Sequence, residues 1–194
     1  MPDDTKLTIK LGDYIENAHA METNVLQMLD SMIRTTKDKQ IKRDLQLHKK
    51  QTQRHEERLR ERLEKLGRAP STRKEAQSMI GALMKGVGDQ VRGDKAGKNA
   101  RDGFVTEHME IAAYELLERL AERAGDTRTA TVARQNKREE EAMARKIAAK
   151  WDKYVDLTLA EEGIKAPKPR RQTTSRTRAA SRTRRSRTAA KSRR

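Results

Sequence analysis

Cysteine is absent from the 194 residues, which removes disulfides and thiolate metal ligands together and fits a reducing cytoplasm. Aromatic residues amount to 3%, so any core must be aliphatic. No apolar run approaches the ~18 residues of a membrane span, and the start Met1–Lys6 has no apolar stretch behind it, which predicts no signal peptide. No segment alternates apolar and polar residues as a strand would. There is no Gly-x-Ser-x-Gly elbow, and without cysteine a Cys/His nucleophile is excluded. The glycines Gly86, Gly88, Gly93 and Gly97 have neither the spacing of a dinucleotide turn nor the length and Ser/Thr of a phosphate loop, and no strand precedes them.

Charge is abundant: 38% of residues are charged and 34% apolar, against a usual charged share of ~25%. That balance describes solvated helices around a narrow core. The net charge of +16 is uneven, because 13 of the 45 Lys and Arg lie in 163–194, where there is no acid. The first 162 residues keep 32 basic against 29 acidic side chains, a net of +3.

Apolar residues recur at helical spacing in four stretches. Leu11, Ile15, Ala18, Val25, Leu29 and Met32 mark a helix over about 8–35. Ile41, Leu45, Leu59, Leu63 and Leu66 mark a second, stopped by Gly67 and Pro70. Ala100, Phe104, Ile111, Leu117 and Ala121 mark a third from about Asn99, ended by Gly125. Val132, Met143, Ile147, Tyr154 and Leu157 mark a fourth from about Thr127, ended by Gly163, and Pro167 and Pro169 prevent a restart. The middle connection of ~30 residues contains a possible short helix over 72–85 and then a Gly-rich loop. Two short-linked hairpins joined by one long crossover predict an all-α fold, the ferritin-like four-helix bundle. The expected division is a bundle over 1–163 and a disordered basic tail over 164–194.

The stripes are interrupted by polar residues. Glu22 falls in the first. His48, Thr52 and His55 occupy successive stripe positions of the second. Glu107 interrupts the third, with Glu110 and Tyr114 on the same side. Asn136 and Glu140 interrupt the fourth, with Glu139 beside them. Each lies about 9–14 residues into its helix, so at 1.5 Å per residue they can meet at one level. Buried carboxylates and imidazoles are costly unless paired or bound to metal, and a divalent cation relieves repulsion among carboxylates. Oxygen and imidazole donors without sulfur suit iron or manganese. The alternative is a metal-free polar network in which His48 and His55 pair with Glu22 or Glu107. Glu16 and His19 fall off the main stripe and are expected at the surface, and His108 points about 100° from Glu107 and is expected at the periphery.

The stretches Tyr14-Ile15-Glu16-Asn17-Ala18-His19-Ala20-Met21-Glu22, Thr52-Gln53-Arg54-His55-Glu56-Glu57-Arg58-Leu59 and Glu107-His108-Met109-Glu110-Ile111-Ala112-Ala113-Tyr114 resemble the YciE/YciF-type ferritin-like family. Gly125 and the run Glu139-Glu140-Glu141-Ala142-Met143 extend the resemblance, which covers about 8–163. It implies a four-helix bundle, usually dimeric, tied to bacterial stress responses and to metal binding, with no assigned enzymatic activity. It implies Glu22, His55, Glu107, Glu110 and one of Glu139 or Glu140 as ligands. The chain departs from the family at His48-Lys49-Lys50-Gln51-Thr52, where acids usually precede the Thr. The di-iron pattern Glu-x-x-His appears on neither the second nor the fourth helix, where Thr52 precedes His55 and Glu140 precedes Met143; Glu16 and His19 have that spacing but lie off the stripe. One metal ion, or none, fits this pattern better than two.

In the tail, Ser175-Arg176-Thr177-Arg178 recurs as Ser181-Arg182-Thr183-Arg184. Such a segment cannot build a core and repels itself. Arg170, Arg171, Arg176, Arg178, Arg182, Arg184, Arg185, Arg187, Lys191, Arg193 and Arg194 form a polycation that would displace counterions from nucleic acid, most simply duplex DNA, without reading sequence. No aromatic residue is present there to stack on bases. The residues predict a cytoplasmic, nucleoid-associated protein that binds iron or manganese weakly and DNA through its tail, and the resemblance implies that it is a homodimeric stress protein. The rival readings are a di-metal oxidase or peroxidase and a metal-free dimeric interaction module.

Overall fold

In a computed structural model, residues 2–69, 95–165 and 167 are described, with side chains from Thr5 onward. The 72–85 helix, the Gly-rich loop up to residue 94 and the Arg-rich tail lie outside these residues, whereas Gly97, expected in that loop, stands in a helix. Among the described residues there are five helices and no strand: α1 Pro2–Thr35, α2 Lys39–Lys65, α3 Lys95–Arg123, α4 Thr127–Ala148 and α5 Trp151–Glu161.

The turns between helices are chemically specified. Asp38 caps α2 by accepting from the backbone N–H groups of Gln40 and Ile41 at 3.0 and 2.9 Å. Asp126 caps α4 by accepting from the Thr129 N–H at 2.9 Å, and Arg62 of α2 pairs with its carboxylate at 3.0 Å, tying the two hairpins together. Gly67 and Gly125 follow α2 and α3 at φ 69° and 71°, a left-handed conformation that a side chain would strain.

The pairing of α1 with α2 and of α3 with α4 gives two antiparallel hairpins, as the stripes predict. One apolar cluster joins Leu11, Ile15, Leu59, Leu63, Leu117, Ala121 and Ala130. The other joins Val25, Met32, Ile41, Leu45, Ala100, Met143 and Ile147. Low-numbered residues of α2 and α3 thus share one end and high-numbered residues the other, so these two helices run parallel. α2 therefore ends and α3 begins at opposite ends of the bundle, which is the connectivity of the ferritin-like fold.

The fourth predicted helix is broken. Instead of running unbroken from Thr127 to Gly163, it stops at Ala148 and resumes at Trp151, with Lys150 at φ −124° and ψ 15°. No glycine or proline marks the site. Lys150 pairs with Asp44 of α2, and beyond it Tyr154 is buried in the second apolar cluster. The third helix also begins earlier than expected, at Lys95, because α5 caps it: Glu161 accepts from the Lys95 N–H at 2.9 Å and Thr158 from the Gly97 N–H at 2.9 Å.

Candidate metal centre

Between the two apolar clusters lies a layer of polar side chains sealed from solvent. Spacings of three, four and seven residues put polar groups on the inward face of each helix. α2 contributes His48, Thr52 and His55, and α3 contributes Glu107, Glu110 and Tyr114. α4 contributes Asn136 and Glu140, and α1 contributes Glu22. All are at most 2% exposed. Thr52 closes on its own helix, its hydroxyl donating to the His48 carbonyl at 3.3 Å.

The donor atoms fall into two groups. His48, Glu107, Glu110 and Glu140 each offer an atom within 4.8 Å of the others, and so do Glu22, His55 and Glu140. Glu140 belongs to both. His48 Nε2 lies 3.1 Å from Glu107 Oε1 and 3.6 Å from Glu140 Oε2. His55 Nδ1 lies 2.7 Å from Glu140 Oε1 and 3.6 Å from Glu22 Oε1. Despite these distances, His48 Nε2, His55 Nδ1 and both oxygens of Glu140 lack the alignment of a hydrogen bond, and both oxygens of Glu110 and one of Glu107 have no partner. Donor atoms that converge without bonding one another are arranged as ligands around a common point. Four carboxylates supply as many as four negative charges, which two divalent ions would offset. The residues present therefore fit a divalent cation, and the oxygen–imidazole set without sulfur suits iron or manganese.

The protonation of the layer without metal follows from burial and proximity. Burial drives Glu110 well above the usual carboxylate range, and Glu140, Glu22 and Glu107 reinforce it. Burial raises Glu107 to about 8 against the pull of His48, and raises Glu22 against the pull of His55. Burial opposes charge on His48, but Glu107, Glu140 and Glu22 prevail and raise it to about 9. Burial likewise opposes charge on His55, but Glu139, Glu140 and Glu22 raise it to about 11. Glu140 is itself held below the usual range by His55 and His48, although burial pushes it up. Protons thus occupy the places that a cation would take.

Around these donors stands a positioning shell. Glu139 is not in either donor group. Its Oε2 bonds His55 Nε2 at 3.0 Å, the nitrogen facing away from the centre, and its carboxyl is held at about 2, chiefly by that bond. Such a carboxylate fixes the tautomer and orientation of a ligating imidazole. Arg58 donates to Glu139 Oε1 at 3.4 Å and to Asn136 Oδ1 at 2.7 Å. Asn136 donates to the Tyr114 hydroxyl at 3.0 Å, and Tyr114 donates to Glu22. A continuous line of hydrogen bonds therefore runs from half-buried Arg58 to Glu22.

The sequence-predicted residues Glu22, His48, His55, Glu107, Glu110 and Glu140 come together, and Glu139 stands one step back. The pattern favoured one ion or none, whereas the geometry offers two overlapping donor groups, because His48 lies two turns before His55 on the same face. Arg58 was not singled out by the sequence. Its only signal is a cation three residues after His55. His19 departs from its expected surface position: it is buried between α1 and α2, its Nε2 2.6 Å from Glu56. Glu16, half-buried, pairs with Arg68 at 2.7 Å. His108 is exposed, as expected.

The fold agrees with known proteins. A protein from Xanthomonas campestris pv. campestris superposes with a TM-score of 0.69 at 22% identity, covering 82% of this chain and 99% of its own. YcfI from Rhodopseudomonas palustris gives 0.64 at 24% identity, covering 73% and 92%. The Escherichia coli stress protein YciF gives 0.64 at 18% identity, covering 82% and 98%, which agrees with the family resemblance of the helix motifs. The family model described as a domain of unknown function, DUF892, matches residues 9–160, and the chain belongs to that family.

Proposed function

We propose that the polar layer holds divalent iron or manganese, one ion at each donor group, in a stress-associated protein whose tail associates with DNA. The observation that carries this reading is Glu110: a fully buried carboxyl with both oxygens unpartnered, surrounded by three further carboxylates. A protein interior tolerates such a group only when something compensates it. Glu22, His55 and Glu140 would hold one ion, and His48, Glu107, Glu110 and Glu140 the other. Glu139 keeps His55 aimed inward, and Tyr114 keeps Glu22 in place. When bound, the metal supplies Lewis acidity and, as iron or manganese, one-electron chemistry. The test is elemental analysis of protein purified without chelator, with melting curves before and after adding Fe(II) or Mn(II). We expect metal to co-purify with wild type, to fall by one ion per chain with Glu110→Gln and to be lost with Glu140→Gln. Metal-free wild type whose melting is unmoved by either ion would overturn the reading.

The stress role is suggested by the Escherichia coli neighbour, which is a stress protein. We further propose that residues 164–194 act separately from the bundle over 1–163, and that Arg170 through Arg194 bind duplex DNA without sequence preference. The support is charge: 13 cations and no acid within 163–194. If roughly 6–10 phosphates are engaged, affinity falls about 10³–10⁵-fold between 50 and 200 mM salt. Deleting 165–194 should abolish binding and leave metal content intact. Truncated protein that binds as well as full-length protein would refute this.

We also propose a homodimer that pairs through α3, where Val105 and Leu116 are 49% and 55% exposed on one face with Ala112 between them. Leu116→Glu should shift sedimentation from dimer to monomer. The sharing of Glu140 favours a second reading, a di-metal oxidase or peroxidase, which peroxide consumption by loaded against metal-free protein would reveal.

A further inference from the structure

At the end of the bundle that carries Thr35 and Lys95, a cavity of about 60 Å³ runs inward between the hairpins. Its mouth is polar, with Asn99 donating to the Thr35 hydroxyl at 3.2 Å. Its walls are apolar, formed by Met32, Ala100, Met143, Ile147 and the bare backbone of Gly103, and its floor includes Glu107. Glu107 is a donor of the metal centre, and its Oε2 is unpartnered.

Gly103 explains why the space is there. It sits inside α3, where glycine weakens a helix relative to alanine. Its backbone does not require glycine, because the positive φ angles among the described glycines belong to Gly67, Gly125 and Gly163. Nor does crowding require it. A methyl group there would meet Ile147 Cδ1 at 3.6 Å and Met32 Cε at 4.0 Å, both ordinary contacts. The structural consequence of glycine at this position is open volume beside Glu107. Two of the walls are methionines, whose unbranched chains adapt to an occupant.

We propose that this cavity binds small uncharged apolar groups and brings them to the Glu107 side of the metal centre. An apolar cavity of ~150 Å³ takes benzene or xenon, so the present one takes about two to three non-hydrogen atoms. That size corresponds to a free gas-sized molecule or to the end of a short alkyl group. A hydrated ion is excluded, because the apolar walls cannot replace its water. The inference rests on the metal reading only for what lies at the cavity floor.

The test uses the full chain and two probes, xenon for a free molecule and 1-propanol for an alkyl end. Methionine methyl resonances report the cavity through Met32 and Met143, with Met21 and Met109 as controls in the opposite cluster. We expect saturable shifts at Met32 and Met143 with at least one probe in metal-free protein, weakened at least tenfold by Gly103→Val. Ala100→Leu serves as a second plug if Gly103→Val does not fold. Xenon binding alone assigns a gas-sized ligand, and propanol binding alone assigns an alkyl end. No saturable shift with either probe, or shifts that survive both plugs, overturns the proposal. Mn(II)-loaded protein then reports proximity: bound manganese should accelerate relaxation of the propanol methyl protons in wild type but not in the plugged variant. Elemental analysis keeps the two readings apart, since a protein that fails to retain manganese fails the metal reading while its metal-free shifts still decide the cavity.

Discussion

The interior of this bundle contains two kinds of packing. Toward the Gly67 and Gly125 end, Leu11, Ile15, Leu59, Leu63 and Leu117 meet in an aliphatic cluster. Near mid-height, residues at the same helical positions are Glu22, His55, Glu110 and Glu140, equally sealed from water. Their burial is similar, but the sign of their contribution to stability differs. Burying the leucines removes apolar surface from water and stabilises the fold. Burying the carboxylates removes charge from water, and in the absence of a cation it destabilises the fold. The aliphatic layers therefore support a middle layer that costs stability and that, on the proposed reading, is maintained for binding a cation.

The largest effect is expected where the layers are purely aliphatic. Leu63→Ala should cost about 2–5 kcal/mol in denaturant unfolding and leave metal per chain unchanged. Loss of metal along with stability would show that the layers are not separable. Glu110→Leu should act in the opposite way. Metal-free protein should gain about 1–4 kcal/mol by replacing the unpartnered carboxyl. The stabilisation by the ion of the His48, Glu107, Glu110 and Glu140 group, about 2.7 kcal/mol at 100 times its dissociation constant, should vanish, leaving only that of the Glu22, His55 and Glu140 group. A variant less stable than wild type without metal would contradict the assignment of Glu110 as a functional burden on the core.

Glu139→Gln tests the shell rather than the centre. Because Glu139 orients His55 from behind, metal affinity should fall about 10–100-fold by competition with a chelating dye, without loss of the site. The smallest effect is that of pH. Glu107, His48 and His55 have folded-state values of about 8, 9 and 11, raised from 4.5, 6.5 and 6.5. A raised value means that the folded state keeps protons the unfolded chain has released. These groups should therefore make the stability of metal-free protein decline with rising pH from about 4.5, where unfolded Glu107 releases its proton, and more steeply from about 6.5 to about 8, where His48 and His55 act with it. Metal requires deprotonated ligands, so loaded protein should show the opposite trend in melting temperature across the same window. Parallel trends with and without metal would separate these groups from metal binding.

The periodic stripes made the four long helices and the level of the polar layer legible in the sequence, because a polar residue at a stripe position is forced inward by its neighbours. Glu22, His48, His55, Glu107, Glu110 and Glu140 were found in that way. Glu139 and Glu140 could not be separated, since adjacent residues differ only by 100° on the helix and their roles depend on where His55 stands. His19 was misplaced at the surface because its burial depends on Glu56 across the hairpin. The break at Lys150 carries no local signal and follows from its pairing with Asp44, far away in the chain.

Glu140 gives the centre an arithmetic of its own. If each donor group holds an ion as proposed, a residue common to both would make loading a two-step process in which the steps are not independent. The first cation would consume part of a carboxylate that the second also needs, while relieving the repulsion that kept the remaining acids protonated. Stoichiometry should then sort the variants without any measurement of rate. Removing His48 or Glu22 takes away one group and leaves one ion per chain, whereas removing Glu140 takes away both at once.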